Sequence, residues 1–420
     1  MQFAMSAMRI ASLAVMLTAA AATAQQQPVL EANLATRGNP TTALATTDGH
    51  YLFVSVTNVD APNFTGSDAA AGARTDAISG IEVFRRRGFW PGRRKFVAAG
   101  IVRTGSTGAN GMVLLRGERT LAVGVGDAGV AFLDVRQLIH LRGTPVLSAQ
   151  GKSAGTFDVV ASPNGSYVFS SNEYGVVDGQ RGSVGVLHTY IDKDGRVEHP
   201  DAGKLIALGD VLPSLSISPD GSRIYAAVEL VPTEGHPSIA GSQNKVLTRN
   251  DCVQAVHARP RPNGYVAVLD VARLTNGSAD PVIARVAAAC SPVRLVESAD
   301  ASSLYVSARG NHMILRYDPR LLESDPEHAL LDAYPSGGTA PVGVQLFRKD
   351  HLLAVANSNR FTAGAGNLAL FDLAARNDDK HPLILSAGNF PRNISRSKDE
   401  QRLFLTNYTS RTVQIYRMSY

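Results

Sequence analysis

Short apolar runs separated by tight polar turns recur seven times along the chain. In each repeat an apolar strand precedes the turn, a second apolar strand follows it, and a third comes after a loop of variable length. The turns are centred on Asp48, Gly117, Asn164, Asp220, Asp300, Lys349 and Asp399, and an apolar residue stands four positions after each centre: Leu52, Leu121, Val168, Ile224, Leu304, Leu353 and Leu403. Repeats of about 40–50 residues made of short strands are typical of propellers. The sequence therefore predicts an all-β, seven-bladed β-propeller.

The fourth repeat shows the predicted order of strands most clearly. Leu215–Ser218 forms the first strand, Arg223–Val228 the second and Gly264–Val271 the third. An Asp-Gly pair between alternating apolar runs is a strong hairpin signal. Third strands are predicted in the other repeats at Gly80–Phe84, Gly129–Val135, Ser183–Tyr190, Met313–Asp318, Gly366–Leu373 and Thr412–Tyr416, and weaker fourth strands at, for example, Lys95–Val102 and Pro281–Ala288.

The last repeat ends after its third strand, whereas an N-terminal strand, Val29–Thr36, belongs to no repeat. We expect this strand to complete the seventh blade as its fourth strand. Such closure removes an open sheet edge that would otherwise promote aggregation.

The N-terminus has the features of a secretory signal peptide. Arg9 precedes the apolar run Ile10–Ala22, which is too short to span a bilayer, and Ala22-Thr23-Ala24 fits a cleavage site. We therefore predict a signal peptide at residues 1–24 and one propeller domain at residues 25–420. The mature protein is expected to be secreted or periplasmic, monomeric and without a membrane span. The formal charge of +5 for the full chain, or +4 without residues 1–24, is a mild excess that indicates no nucleic-acid partner.

Several repeats resemble those of the YVTN/lactonase-like propeller family, notably Ser218–Ala227, Leu304–Ala308 and Leu403–Asn407. Asn172–Tyr174, followed by Gly182–Tyr190 and Ile191–Gly195, resembles the lactonase branch in particular. The resemblance implies a seven-bladed propeller and, for the lactonase branch, hydrolysis of a lactone or sugar-derived ester. Lactonase-like propellers often begin the first strand of a blade with Pro-His, and blade four here has Pro213-Ser214 instead.

The longest loops are predicted to lie on one face of the ring. If the strands of a blade are named A to D outward from the axis, the B–C and D–A loops share a face, which we call the top face. Long B–C loops are predicted at Thr57–Ser79, Asn172–Gly182, Glu229–Asn263 and Asn357–Ala365. Insertions in repeat proteins often cluster on the binding face, although surface loops also vary in length without a function.

Polar residues end or follow the B strands and form a predicted ring on the top face. They are Asn58, Asp127, Asn172, Glu173, Glu229, Arg309, Asn311, Asn357, Asn359 and Asn407. Such a ring can bind a polar ligand, or a divalent cation such as calcium through oxygen ligands, but Asn also favours strand ends because it caps turns. Glu173, Glu229 and Arg309 are the stronger candidates for binding or catalysis, because a charge near a central channel needs a partner.

Other motifs do not indicate chemistry. Gly151–Gly155 fits a nucleophile elbow around Ser153, and Gly124–Gly129 fits a dinucleotide fingerprint, but neither precedes a predicted helix. The ten His residues show no metal-ligand spacing. A single Trp excludes the WD40 pattern, which needs one in each blade.

A dense basic run, Arg85–Lys95, contains that Trp at position 90 and is predicted to form a C–D hairpin on the opposite, bottom face. It can be a solvated hairpin or a second surface that binds anionic polymers or membranes. The only two cysteines, Cys252 and Cys290, fall in top-face loops of neighbouring blades. In an oxidising compartment such a pair is expected to form a disulfide; two free thiols are the alternative.

Two functions remain open at this point. The first is a scaffold that binds a small-molecule or protein ligand through its top-face loops, with no cofactor. The second is a lactonase-like hydrolase that uses top-face carboxylates, with or without a cation that activates a water. The first is favoured because the sequence offers no set of nucleophile, base and orienting group.

Overall fold

The computed structural model describes residues 27–58, 78–88, 94–104, 108–142, 146–148, 155–173, 182–231, 238–241, 264–360, 362, 364–374 and 381–418. Within these residues the chain forms seven four-stranded antiparallel sheets, six of them with their strands in sequence order and the seventh with the N-terminal strand at its outer edge. The predicted all-β, seven-bladed propeller is confirmed.

Each blade consists of strands A, B, C and D in that order. Blade one has β2 (Asn39–Ala45), β3 (Tyr51–Thr57), β4 (Gly80–Arg87) and β5 (Lys95–Val102). Blade two has β6 (Met112–Leu114), β7 (Thr120–Gly124), β8 (Val130–Asp134) and β9 (Val146–Ser148). Blade three has β10 (Thr156–Ala161), β11 (Tyr167–Asn172), β12 (Ser183–Ile191) and β13 (Val197–Ala207). Blade four has β14 (Ser214–Ile217), β15 (Arg223–Val228), β16 (Tyr265–Asp270) and β17 (Val282–Ala287).

Blade five has β18 (Pro292–Glu297), β19 (Leu304–Ala308), β20 (Met313–Tyr317) and β21 (Leu330–Pro335). Blade six has β22 (Pro341–Phe347), β23 (Leu352–Asn357), β24 (Ala365–Asp372) and β25 (Leu383–Asn389). Blade seven has β26 (Pro391–Arg396), β27 (Arg402–Asn407), β28 (Thr412–Arg417) and the N-terminal β1 (Val29–Ala35). Short helices α1 (Val135–Leu138), α2 (Val271–Thr275) and α3 (Leu321–Ser324) follow C strands. None of the helices in the described ranges is long and apolar enough to cross a bilayer.

The N-terminal strand closes the ring as the sequence predicts. β1 pairs antiparallel with β28, from Val29 opposite Arg417 to Ala35 opposite Thr412. Glu31 accepts a hydrogen bond of 2.8 Å from Nε of Arg402, which adds an ion pair between β1 and β27. The outermost strand of the last blade therefore comes from the start of the chain.

The apolar cores lie between adjacent blades. At the closing seam, Phe84 and Phe96 of blade one pack with Phe404 and Ile415 of blade seven, and the rings of Phe96 and Phe404 meet edge-on with centroids 6.3 Å apart. The inner strands, such as β3, β11 and β23, are buried along almost their whole length, because both faces of each blade are covered by a neighbour.

Five of the A–B turns share a hydrogen-bonded motif. A Ser or Thr hydroxyl donates to the Asp or Asn two positions later, as from Ser218 to Asp220 at 2.6 Å. The same carboxylate accepts from the backbone N–H of Ser222 at 3.0 Å, and Gly221 adopts the positive φ (+74°) that the tight turn requires. The equivalent hydroxyl donors are Thr46, Ser162, Ser298 and Ser397.

A β-bulge lies at the start of most A strands, where the chain enters from the top face. The register with strand B shifts between Pro40 and Thr42, Thr156 and Asp158, Pro292 and Arg294, Pro341 and Gly343, and Pro391 and Asn393. A bulge re-aims the side chains around it. These innermost strands therefore turn side chains next to the bulge towards the axis.

The bottom of the seam between blades four and five contains a carboxyl group that titrates abnormally. Burial, with a smaller contribution from the negative charges of Asp220 and Asp300, raises the pKa of Glu297 to about 7 against the opposing effect of the hydrogen bond from Tyr225. The hydroxyl of Tyr225 donates to one carboxylate oxygen at 3.4 Å. No described residue offers a hydrogen bond to the other, buried oxygen.

This carboxyl group should make the stability of the protein depend on pH. The folded state binds more protons than the unfolded state between pH 4.5, the ordinary pKa, and about pH 7, so stability falls as the pH rises through that window. After allowance for partial exposure, we expect the free energy of unfolding to fall by about 2 kcal/mol. Urea unfolding at pH 5 and pH 8 should show that Glu297→Gln removes this part of the pH dependence. An equal fall in the variant and the natural protein would contradict the prediction.

Candidate functional site

The B-strand asparagines of the predicted ring form hydrogen bonds within their own blade or with the preceding one. Asn172 accepts from the Thr156 hydroxyl at 2.8 Å and donates to the Ser183 hydroxyl at 3.0 Å. Asn357 donates to the carbonyl of Ser336 and to Asn367, and Asn407 accepts from the N–H of Gly388. All three asparagines are buried. Their contacts support the capping interpretation, although they do not test ligand binding.

The remaining polar residues of the ring lie apart from one another. Asn58 and Asp127 are exposed at the top of blades one and two. Asn311 accepts a hydrogen bond of 2.6 Å from the backbone N–H of Cys290, and Asn359 has a positive φ of +53° in the B–C loop of blade six. No cluster of three or more His, Cys, Asp or Glu side chains suited to a metal ion occurs among the described residues.

Glu229 and Arg309, by contrast, form a buried ion pair. Glu229 directly follows β15 of blade four, and Arg309 directly follows β19 of blade five. Nη2 of Arg309 donates to Oε1 of Glu229, and the two side chains are only 6% and 8% exposed. The pair therefore joins two neighbouring blades at the top of the channel.

Glu173 follows β11 of blade three and lies within electrostatic range of this pair. Burial raises the pKa of the Glu173 carboxyl, and the charge of Glu229 raises it further. The positive charges of Arg392, Arg360 and Arg294 oppose this rise, that of Arg392 most strongly. Of the three charged candidates, the structure thus brings Glu229 and Arg309 into contact and places Glu173 beside other arginines.

A row of alternating arginines and aromatic rings crosses the channel near Glu173. The Cζ atoms of Arg294 (blade five) and Arg392 (blade seven) lie 5.4 Å and 4.7 Å from the ring centroid of Phe157 (blade three). The Cζ atoms of Arg392 and Arg360 lie 5.9 Å and 5.8 Å from the ring of Phe390. Because blades three, five and seven are not neighbours, these contacts span the axis. We use the name channel mouth for the site formed by this row of arginines and rings and by Glu173, Glu229 and Arg309.

Two further contacts anchor this row. Nη1 of Arg294 donates to the carbonyl of Pro213 at 2.5 Å and lies 3.7 Å from Oδ2 of Asp158. The same carboxylate oxygen accepts from the Ser214 hydroxyl at 2.9 Å. Cζ of Arg392 also lies 4.7 Å from the ring of Tyr408. Arg294 is therefore held between blades, whereas the contacts of Arg392 are chiefly with ring faces.

The arginines of the channel mouth are crowded in a poorly solvated space. Burial lowers the pKa of Arg360 well below its usual range, and the positive charges of Arg309 and Arg392 lower it further. Burial also lowers the pKa of Arg392, although Tyr408 and Glu173 counteract this effect. Desolvation and mutual repulsion thus disfavour the concentration of positive charge here.

Sequence reasoning missed Arg294, Arg360, Arg392, Asp158 and the aromatic rings. Most of them lie at the start of an A strand. The signal that could have indicated them is the Pro that recurs there, as Pro292 before Arg294 and Pro391 before Arg392. The bulge beside it decides which following residue turns to the axis, and no local pattern specifies that choice.

Several sequence motifs have structural roles or lie outside the described residues. Gly124–Gly129 forms a tight B–C turn, in which the N–H of Val125 donates to the carbonyl of Gly129 at 2.8 Å. His312 accepts from the backbone N–H of Ala340 at 2.9 Å. Ser153, Cys252 and the tip of the basic hairpin with Trp90 lie outside the described residues.

Comparison with known proteins supports the fold alone. No protein-family model matches the sequence, and no curated protein matches it. Among solved structures, the β-propeller domain of Cps50 (Swd1) from Myceliophteria thermophila superposes with a TM-score of 0.60, over 94% of this chain and 100% of that domain. Its sequence is 9% identical.

Proposed function

We propose that the protein is a binding scaffold whose ligand, a small molecule or a segment of a partner protein, occupies the channel mouth on the top face. The observation that carries this proposal is the buried Glu229–Arg309 pair beside Glu173, at the point where loops of several blades converge. A buried ion pair contributes little to stability compared with apolar packing, so its presence favours a role in recognition. A propeller is a fold on which many binding sites have been built.

A thermal-shift screen of a metabolite library against the mature protein tests this proposal. Compounds that bind at the channel mouth should raise the melting temperature of the natural protein and should lose that effect in Glu173→Gln and Glu229→Gln. Glu198→Gln is the matched control, because Glu198 is exposed on β13, away from the mouth. If the two site variants are less stable but keep the ligand effects, their carboxylates are structural and the site proposal is wrong.

A hydrolase of lactones or sugar-derived esters is the second candidate. The raised pKa of the buried Glu173 carboxyl favours it, because a carboxyl that releases its proton less readily is better suited to act as a general acid. Neighbouring guanidinium groups would stabilise an oxyanion that develops on the substrate carbonyl. A lactone-hydrolysis assay with and without added calcium tests this activity, and Glu173→Gln should abolish it.

Membership of the YVTN/lactonase-like family and export from the cytosol are part of the same proposal. They are supported by the repeat Ser218–Ala227 and by the N-terminal segment up to Ala24. Cys290 is buried in the loop between β17 and β18, where a bridge to Cys252 would pin the long blade-four loop over the channel. The intact mass of the unreduced protein tests both points. A mass equal to that of residues 25–420 would support export, and a mass lower by two hydrogens would support the bridge as well.

A further inference from the structure

The channel mouth has more positive than negative groups among the described residues. Arg294, Arg309, Arg360 and Arg392 stand against three carboxyl groups, those of Asp158, Glu173 and Glu229. Even with every carboxyl ionised, the positive groups are in excess. A buried excess of positive charge is costly unless an anion or another acceptor balances it.

Among the described residues, the guanidinium of Arg392 has one hydrogen-bond partner, the Tyr408 hydroxyl, so most of its five N–H donors remain for a ligand. The rings of Phe157, Tyr408 and Phe390 all lie within 5.9 Å of its Cζ atom. A ring that stacks on a guanidinium contacts its face, whereas the five N–H donors point outward in the guanidinium plane. Such a planar fork matches two oxygens of a carboxylate or phosphate group.

We propose that the channel mouth binds a small molecule that carries an oxyanion, a carboxylate or a phosphate group, on the N–H edge of Arg392, with Arg360 as a second cation. The rings of Phe157 and Phe390 contact the carbon part of that molecule. This inference rests on the proposed function, because it specifies the ligand class of the same site.

The position of Glu173 adds a pH dependence to this binding. Arg392 from β26, Arg360 after β23, Arg294 from β18 and Glu229 after β15 are the charged groups that act on it. A bound anion favours the protonated carboxyl, which can donate its O–H to the ligand. Protonation of Glu173 and anion binding therefore support each other, and affinity falls as the pH rises.

Isothermal titration calorimetry of the mature protein with citrate, inorganic phosphate and glucose tests the inference. We expect citrate or phosphate to bind in low salt, with the stronger of the two identifying the oxyanion, and glucose not to bind. Arg392→Gln should weaken binding at least tenfold, and Arg392→Lys should weaken it less because the charge is kept while the planar fork is lost. Glu173→Gln should weaken binding at low pH, where the natural side chain donates its O–H, and should remove the pH dependence of what binding is left.

Arg417→Gln is the matched control for charge, because Arg417 is exposed at the end of β28 in the same blade. Arg392→Gln should melt no lower than the natural protein, since it relieves repulsion at the mouth, so its loss of binding cannot be ascribed to unfolding. The inference is overturned if neither anion binds, or if Arg392→Gln and Arg417→Gln weaken binding equally. A neutral library compound whose binding depends on Glu229 would then leave the proposed site intact and reject only the anionic ligand class.

Discussion

Replacing Leu34 by Asp is expected to open the ring and to make the protein aggregate. Leu34 lies in β1 and packs against the closing core formed by blades one and seven. A carboxylate at this half-buried position would lose part of its hydration and the apolar contacts of Leu34, at a cost of about 2 kcal/mol. Loss of β1 would also expose the edge of β28, and an unpaired strand edge promotes association with other chains.

Asn33→Asp is the matched control, because Asn33 is the exposed neighbour on the same strand. It should leave the melting temperature and the monomer peak in size-exclusion chromatography unchanged. A chain that lacks residues 27–36 should regain solubility when a synthetic peptide of that sequence is added, since the peptide can pair with β28 in trans. Unchanged melting and elution of Leu34→Asp would contradict the role of β1 as the closing strand.

The fold was predictable because each repeat carries its own signals. The boundaries of β5 and β15 agree with the sequence at both ends, and the other predicted strands differ by three residues or fewer at either end. The turn motif around Asp220 fixes where β14 ends and β15 begins, and the same motif recurs in four other blades. Local turn chemistry and alternating apolar residues therefore specify the blades, while the ring follows from their number.

The candidate site was less predictable because it forms across the axis. Phe157 and Arg392 are far apart in sequence and belong to blades that are not neighbours, yet they are in contact. The asparagines drew attention because they recur at the ends of B strands, but their hydrogen bonds hold strands together, within blade three for Asn172 and between blades six and seven for Asn407. A feature that recurs among blades serves the scaffold, whereas the site uses residues that differ from blade to blade.

Removing the positive member of the buried pair should cost more stability than removing the whole pair. In Arg309→Met the carboxylate of Glu229, which is 8% exposed on its side chain, loses the group that donates to it. Loss of one partner of a buried pair typically costs about 3–5 kcal/mol, because the remaining charge stays desolvated. The loss should be visible as a lower urea midpoint with an unchanged slope, since the extent of burial is the same.

The double variant Arg309→Met with Glu229→Leu separates the cost of an orphaned charge from the value of the pair itself. Apolar side chains of similar volume need no counter-ion, so we expect the double variant to lie within about 1–2 kcal/mol of the natural protein. Its coupling free energy, measured by a double-mutant cycle, should then be large. If both single variants and the double variant lose equal stability, the pair holds blades four and five together. Recovery of stability without recovery of ligand binding would instead indicate that the pair is retained for recognition at the channel mouth.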